Sequence, residues 1–189
     1  MAASLDLVVL GGGSGGYACA LRAAQLGFTV ALVEQDKVGG TCLHRGCIPT
    51  KAMLHAAEVA DSVRMGSQFG VHAAIDKIDL AGVVSYADNV VARIYKGLSG
   101  LVRSNRIVVV EGTGQLTRQD GQPGVTVGDE TYHAPNLVLA TGSYPRSLPE
   151  LDVDGVRVLV SEQALRLERL PTSAIVLGGG VIGVEFASA

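Results

Sequence analysis

Two cysteines five residues apart stand in the segment Gly39-Gly40-Thr41-Cys42-Leu43-His44-Arg45-Gly46-Cys47-Ile48-Pro49-Thr50-Lys51. In a regular helix, Cα atoms at that spacing lie about 8–9 Å apart from the standard rise and radius. A disulfide needs about 7 Å or less. Bridging Cys42 to Cys47 therefore requires irregular backbone, which Gly46 and Pro49 are suited to supply. Pro49 also falls near the start of a following helix, where its missing N–H is harmless. Thiolates beside a helix N-terminus are stabilised and reactive. A short-loop disulfide in a cytoplasmic chain points to redox exchange rather than to a structural clamp. Two other readings stay open. His44 and His55 could join the cysteines on zinc, although no second Cys/His pair stands at ligand spacing and no metal is expected. The cysteines could also be reduced bystanders. Cys19, the third cysteine, lies between Ala18 and Ala20 in a predicted helix and reads as a small core hydrophobe.

A second chemistry is nucleotide binding. Gly11-x-Gly13-x-x-Gly16 follows the apolar run Leu5–Leu10 and opens an alanine-rich helix. The first glycine permits a tight turn, the second lets a pyrophosphate approach, and the third lets helix pack on strand. The helix start offers unpaired N–H groups and a positive dipole end to the phosphates. Glu34, ending the next apolar run, has the spacing of a carboxylate that binds ribose hydroxyls. Gly178-x-Gly180-x-x-Gly183 repeats the first half of this pattern after Ala174–Leu177, without the second strand and acid. A glycine turn that binds nothing is accordingly a stronger alternative there.

These residues must be held by a suitable scaffold, and the rest of the sequence describes one. Strands are predicted at Leu5–Leu10, a nearly continuous apolar run of the kind buried on both faces, at Thr29–Val33 and Ile107–Val110, and at Leu137–Ala140, a further buried strand. Helices are predicted at Tyr17–Leu26, Thr50–Arg64 and Leu80–Val102, the last with Val84, Ala87, Val91, Ile94, Leu98 and Leu101 at helical spacing. Between Leu116 and His133, strand-like runs alternate with Asp120-Gly121 and Gly128-Asp129, the signature of an antiparallel meander. Pro145, Pro149 and nearby acids suggest a linker from Tyr144 to Gly155. The expected fold is α/β: residues 1–145 form a Rossmann-like domain with parallel sheet, helices and small meander. Residues 146–189 hold the linker and the start of a second Rossmann-like domain. Ala174–Leu177 is expected as its first strand, short of sheet partners and exposing apolar surface.

The chain has 189 residues, 48% hydrophobic and 17% charged, with a net charge of −3. No Lys/Arg run is present, which argues against nucleic-acid binding. The first apolar run is too short to span a membrane, and neither a basic signal region nor an Arg-rich transit segment precedes it. A cytoplasmic location is the resulting expectation.

The first fingerprint, Glu34, the Gly-Gly-Thr-Cys-x-x-x-x-Cys-Ile-Pro-x-Lys segment, the Ala140-Thr141-Gly142 turn and the second fingerprint occur in the order found in the pyridine nucleotide–disulfide oxidoreductases. The resemblance covers essentially the whole chain, and less than half of a usual member. Within the family, Cys42-Leu43 and Cys47 through Lys51 are similar to the dihydrolipoamide dehydrogenases, with glutathione and mercuric reductases close at the same segment. His44-Arg45 departs from the commoner Asn-Val; lying between the cysteines, the two side chains could tune the disulfide potential or face solvent, and solvent is the expectation.

The resemblance implies FAD along the first unit, with Gly11, Gly13, Gly16, Glu34, Gly40, Thr41, Lys51, Gly114, Thr141, Gly142 and Ser143 touching it. It implies NAD at Gly178, Gly180 and Gly183, although the residues that separate NAD from NADP would follow Ala189. Electrons would pass from reduced substrate to a Cys42–Cys47 disulfide, then to the flavin, then as hydride to NAD. Cys42 would exchange with substrate sulfur and Cys47 would contact the flavin. Lys51, paired with Glu185, would stabilise negative charge there. The implied partners are the lipoyl-bearing subunits of 2-oxo acid dehydrogenase complexes and a second copy in a homodimer. His72 and His133 match no catalytic place and are expected in loops or at the surface. The family's His-Glu base and its later Gly-Asp flavin motif have no counterpart here, so this stretch alone is expected to turn over poorly or not at all. A non-catalytic flavin-binding module is the alternative from another class.

Overall fold

The structure, a computed structural model, describes residues 4–189. The chain divides into two compact units, one formed through His44 together with Arg93–Tyr144, the other by Arg45–Ala92 and Pro145–Ala189.

The first unit is built on four parallel strands. β1 (Leu7–Leu10) and β2 (Val30–Glu34) are joined by helix α1 (Ser14–Gln25). Helix α1 stops where Gly27 takes a left-handed φ of +90°, the role for which a glycine just past a helix end is suited. β3 (Val108–Glu111) lies beside β2 and β7 (Asn136–Leu139) beside β1, giving the order β3-β2-β1-β7. The register is continuous, Leu7 opposite both Val30 and Asn136, and Ala31 opposite Val108.

Period-two alternation sends successive β1 and β2 residues to opposite faces. Leu7, Val9, Val30 and Leu32 pack against Ala20 and Leu21 of α1 and against Val102 and Ile107. Val8, Leu10, Ala31 and Val33 pack against Val125 and Ala134 on the other face. Both faces are thus covered, which is why Leu7–Leu10 and Val30–Val33 read as apolar runs. Each fully buried Val or Leu contributes on the order of 1.5–3 kcal/mol. Cys19 is half-buried against the helix-side cluster, as a small hydrophobe would be.

Val125 belongs to an antiparallel meander of β4 (Gln115–Gln119), β5 (Gln122–Val127) and β6 (Glu130–His133). Asp120 and Gly121 have φ of +50° and +81°, the two positive values that a tight I′ hairpin turn demands. His133 is not the surface residue expected: its ring covers Gly124, and both ring nitrogens are buried.

The second unit contains helix α3 (Cys47–Met65), a 3₁₀ turn at Gly66–Phe69, the short helix α5 (Ser161–Ala164) and helix α6 (Val181–Ser188). The 25-residue helix α4 (Leu80–Ser104) contributes its first half here and its second half to the first unit. Asp88 of α4 and Arg166 form an ion pair at 2.7 Å. That hydrogen bond holds the Asp88 carboxyl below, and the Arg166 guanidinium above, their ordinary ranges. Residues 174–177 form no strand, correcting the expectation for Ala174–Leu177; Ile175 is 96% exposed. A strand needs a paired neighbour for its N–H and C=O groups, and among the described residues none lies beside this one. No helix among the described residues is long and apolar enough to cross a membrane.

Candidate nucleotide and disulfide site

The first glycine loop connects β1 to α1 and is shaped by close contacts that exclude side chains. A Cβ on Gly11, whose φ is +101°, would stand 2.2 Å from the Ala140 carbonyl oxygen. A Cβ on Gly16 would stand 1.7 Å from the carbonyl oxygen of Gly11, so the first turn of α1 can seat on the loop only without one. Gly13 differs. Its ideal Cβ meets nothing nearer than Gly40 Cα at 4.0 Å, which leaves that face of the loop open. Gly13 is also the N-cap of α1, with no side-chain cap and no acidic residue in the first turn. The leading amides of α1 thus have no protein carboxylate or hydroxyl capping them. This is a cradle that an anionic diphosphate fits by shape and by dipole.

Glu34 closes one side of the cradle. Its Oε2 accepts the Gly12 N–H at 2.6 Å and its Oε1 accepts the Asp36 N–H at 2.9 Å. Each carboxylate oxygen retains a further lone pair for a ribose hydroxyl. Beside it, Glu34, Asp36, Tyr95, Ser99, Arg103 and Glu111 line part of a cleft of about 330 Å³. Gly12 was not singled out by the fingerprint, whose middle position is unspecified; the unbroken run Gly11-Gly12-Gly13 was its signal.

The other side is closed by the segment leading to the cysteines. Gly39 donates its N–H to the Gly12 carbonyl at 2.8 Å, and a Cβ on Gly40 would lie 2.7 Å from Gly13 Cα. Helix α2 (Gly40–Arg45) starts at this contact and carries Thr41, exposed, and Cys42, half-buried. His44 departs from the solvent-facing expectation. It is half-buried, with Nε2 3.0 Å from the Val38 carbonyl oxygen and its ring edge-on to Tyr95. Arg45 is exposed and forms an ion pair with Glu162 at 3.4 Å.

The helical path breaks at Gly46, with φ −139° and ψ −111°, and resumes at Cys47. The break falls between the two cysteines. Cys47 is therefore the exposed first residue of α3, and Pro49 takes the third place, where a missing N–H breaks no helical bond. Thr50, buried, donates both its N–H (3.0 Å) and its hydroxyl (2.7 Å) to the Gly46 carbonyl. Sequence reasoning gave Thr50 no role; a Thr four residues after a glycine at a helix start was the available signal. One turn beyond Cys47, the Lys51 ammonium donates to Glu185 of α6.

Of the remaining predicted positions, Thr141 lies against the first loop, its N 3.1 Å from an ideal Cβ on Gly11. Gly114 is half-buried, and a Cβ there would collide with Leu10, Val125 and Val33, so its packing alone calls for glycine. Thr141, Gly142 and Ser143 follow β7 in an exposed segment, with Gly142 at φ +84°. The second fingerprint reproduces the first loop locally. Gly178 has φ +111°, a Cβ on Gly183 would lie 2.1 Å from the Gly178 carbonyl oxygen, and Gly180 caps α6 with φ −74° and ψ 173°. Among the described residues, no group of three or more His, Cys, Asp or Glu is placed to hold a metal ion.

A family model described as pyridine nucleotide-disulphide oxidoreductase matches residues 5–189. The chain belongs to that family. A dihydrolipoyl dehydrogenase of Bacillus subtilis is 44% identical over 198 aligned positions, covering 100% of this chain and 42% of the relative. Among solved structures, LpdA of Mycobacterium tuberculosis superposes with a TM-score of 0.79 at 26% identity, over 88% of this chain and 38% of that one. The HOCl-induced flavoprotein disulfide reductase RclA of Escherichia coli superposes with a TM-score of 0.76 at 27% identity, over 97% of this chain and 39% of that one. The chain spans about two-fifths of the length of the relatives it matches. The α/β fold with parallel sheet and small antiparallel sheet is the one these flavoprotein reductases share.

Proposed function

We propose that this chain is the FAD-binding and disulfide-bearing part of a dihydrolipoyl dehydrogenase, which oxidises a dihydrolipoyl group and reduces NAD. One observation carries the reading: the helix bearing Cys42 begins on the glycine loop itself, Gly40 against Gly13 and Gly39 bonded to Gly12. A nucleotide loop and a cysteine helix that share a contact surface suit a cofactor that must meet a thiol. On this reading residues 1–145 are the FAD-binding domain with its redox disulfide, and residues 146–189 hold a linker and the start of an NAD-binding domain.

In the first half-reaction one sulfur of the dihydrolipoyl dithiol attacks Cys42 of a Cys42–Cys47 disulfide. The S–S bond breaks and Cys47 leaves as thiolate. The second substrate sulfur then displaces Cys42, giving the lipoyl disulfide, two enzyme thiols and no net change in protons. Leaving is eased for Cys47 by its place at the start of α3, where the helix dipole favours a negative sulfur. Lys51 lies on the next turn, and Glu185 fixes the direction of its ammonium. FAD held at the first glycine loop would supply the two-electron chemistry that links the dithiol to NAD.

Gly11, Gly13 and Gly16 would hold the FAD diphosphate and Glu34 its ribose, with Gly40, Thr41, Lys51, Gly114, Thr141, Gly142 and Ser143 as further contacts. Gly178, Gly180 and Gly183 would hold the NAD diphosphate. A homodimer, cytoplasmic location and lipoyl-bearing subunits of 2-oxo acid dehydrogenase complexes as partners complete the proposal.

The test is NAD reduction by dihydrolipoamide with the full-length protein. Cys47→Ser should abolish it while sparing NADH-driven reduction of a dye, a route that bypasses the disulfide. Full dihydrolipoamide turnover in the variant would overturn the proposal.

A further inference from the structure

We infer that His44 is a positioning residue for Cys42, holding the cysteine helix against the first glycine loop; this rests on the redox reading of Cys42 and Cys47 proposed above. Helix α2 has only six residues, too few to be stable on local bonds alone. Its opening backbone bond, from the Leu43 N–H to the Gly39 carbonyl, is 3.4 Å long. The shorter tie is the His44 side chain, which reaches back from the second turn to the Val38 carbonyl at 3.0 Å. A carbonyl only accepts, so Nε2 carries the proton in this contact. The edge-on Tyr95 ring, with centroids 5.1 Å apart, limits the rotation of the imidazole. Val38 is itself buried, and releasing this tie would take from its carbonyl a part-buried hydrogen bond.

The tie matters because of what it spans. Val38, Gly39 and Gly40 are the residues that lead from β2 to the glycine-loop contact, and His44 closes them into a loop with Cys42 inside it. A disulfide tolerates little variation in Cα separation, whereas a dithiol tolerates much. Loosening α2 therefore disfavours the oxidised form more than the reduced one.

The test equilibrates the full-length protein with glutathione and its disulfide, then traps thiols and maps Cys42 and Cys47 by mass. Forming the protein S–S bond releases two electrons and two protons, which cleave one glutathione disulfide into two thiols. His44→Leu keeps the bulk and removes the donor; His44→Asn is too short to reach Val38; His44→Gln places an amide N–H at about the reach of Nε2. Leu and Asn should shift the equilibrium constant about three- to tenfold toward the dithiol, the scale of one net hydrogen bond. Gln should stay within about twofold of the parent. If the Leu protein does not fold, the Asn–Gln contrast decides. An Asn variant within twofold of the parent, or a Gln variant shifted as far as Asn, would overturn the role of His44 and leave the redox pair standing. A parent that forms no Cys42–Cys47 disulfide at any ratio would overturn the redox reading and this inference with it.

Discussion

The Gly12 amide donates to Oε2 of Glu34 at 2.6 Å, tying the end of β2 to the turn that leaves β1. The carboxylate that would meet a ribose is thus also part of the frame of the phosphate loop. Its other oxygen holds the Asp36 amide, so both acceptors are in use before any ligand arrives. In Glu34→Gln an NH₂ replaces one of these acceptors and must face an N–H. The variant should lose about 1–3 kcal/mol of stability, the usual cost of leaving such a donor unpaired. It should also bind FAD more weakly. Urea unfolding and a flavin titration measure the two effects, and loss of affinity at unchanged stability would show that Glu34 has no structural share.

Gly13 and Gly16 separate folding from binding. Gly16→Ala places a Cβ 1.7 Å from a backbone oxygen, and neither partner is a flexible side chain. We expect about 3 kcal/mol or more of destabilisation, in the range reserved for forced backbone shifts. Gly13→Ala meets only Gly40 Cα, at an ordinary van der Waals distance of 4.0 Å, and its φ of −67° suits alanine. That variant should fold with the parent's unfolding midpoint and lose FAD affinity at least tenfold, because the methyl group fills the open face of the cradle. Equal FAD affinity in Gly13→Ala would remove the diphosphate from this loop.

The Asp88–Arg166 pair makes a pH-dependent prediction. Arg166 holds the folded-state pKa of Asp88 below its unfolded value, first through the hydrogen bond and then through charge. The contribution is therefore complete above the unfolded pKa, near pH 4, and is lost as pH falls through the depressed folded value. Both side chains are about half exposed, so the pair should be worth no more than about 1 kcal/mol. The stability difference between parent and Asp88→Asn should be constant from pH 5 to 7 and shrink below pH 4. A difference that grows in acid would refute this assignment.

Much of the frame was legible because its signals are local. Leu7–Leu10 of β1 and Val30–Val33 of β2 are apolar throughout, a pattern that burial on two faces explains, and Asp120-Gly121 specifies a turn by its own φ preferences. The glycine spacing likewise fixes its own loop: Gly178–Gly183 folds as Gly11–Gly16 does even though no strand precedes it. What was not legible depends on distant partners. Ala174–Leu177 has strand composition, but a strand is a property of a pair. His133 looked like a loop residue because nothing in its neighbours announces that Gly124 leaves room for its ring. His44 was misplaced for the same reason: its partners, Val38 and Tyr95, are known only once α2 turns back on the loop and α4 arrives. Short helix α5, four residues long, carries too little periodicity to be read at all.

On the proposed reading Cys42 and Cys47 exchange electrons with FAD held by the first glycine loop. The most direct measurement is the absorption spectrum of the FAD-loaded, full-length protein under anaerobic conditions, recorded while dihydrolipoamide is added. In the parent a new long-wavelength band should appear within mixing, from the Cys47 thiolate beside the flavin, and it should not appear in Cys47→Ser at equal FAD content. A parent that shows no spectral change, or a Cys47→Ser variant that responds as the parent does, would overturn the redox pair.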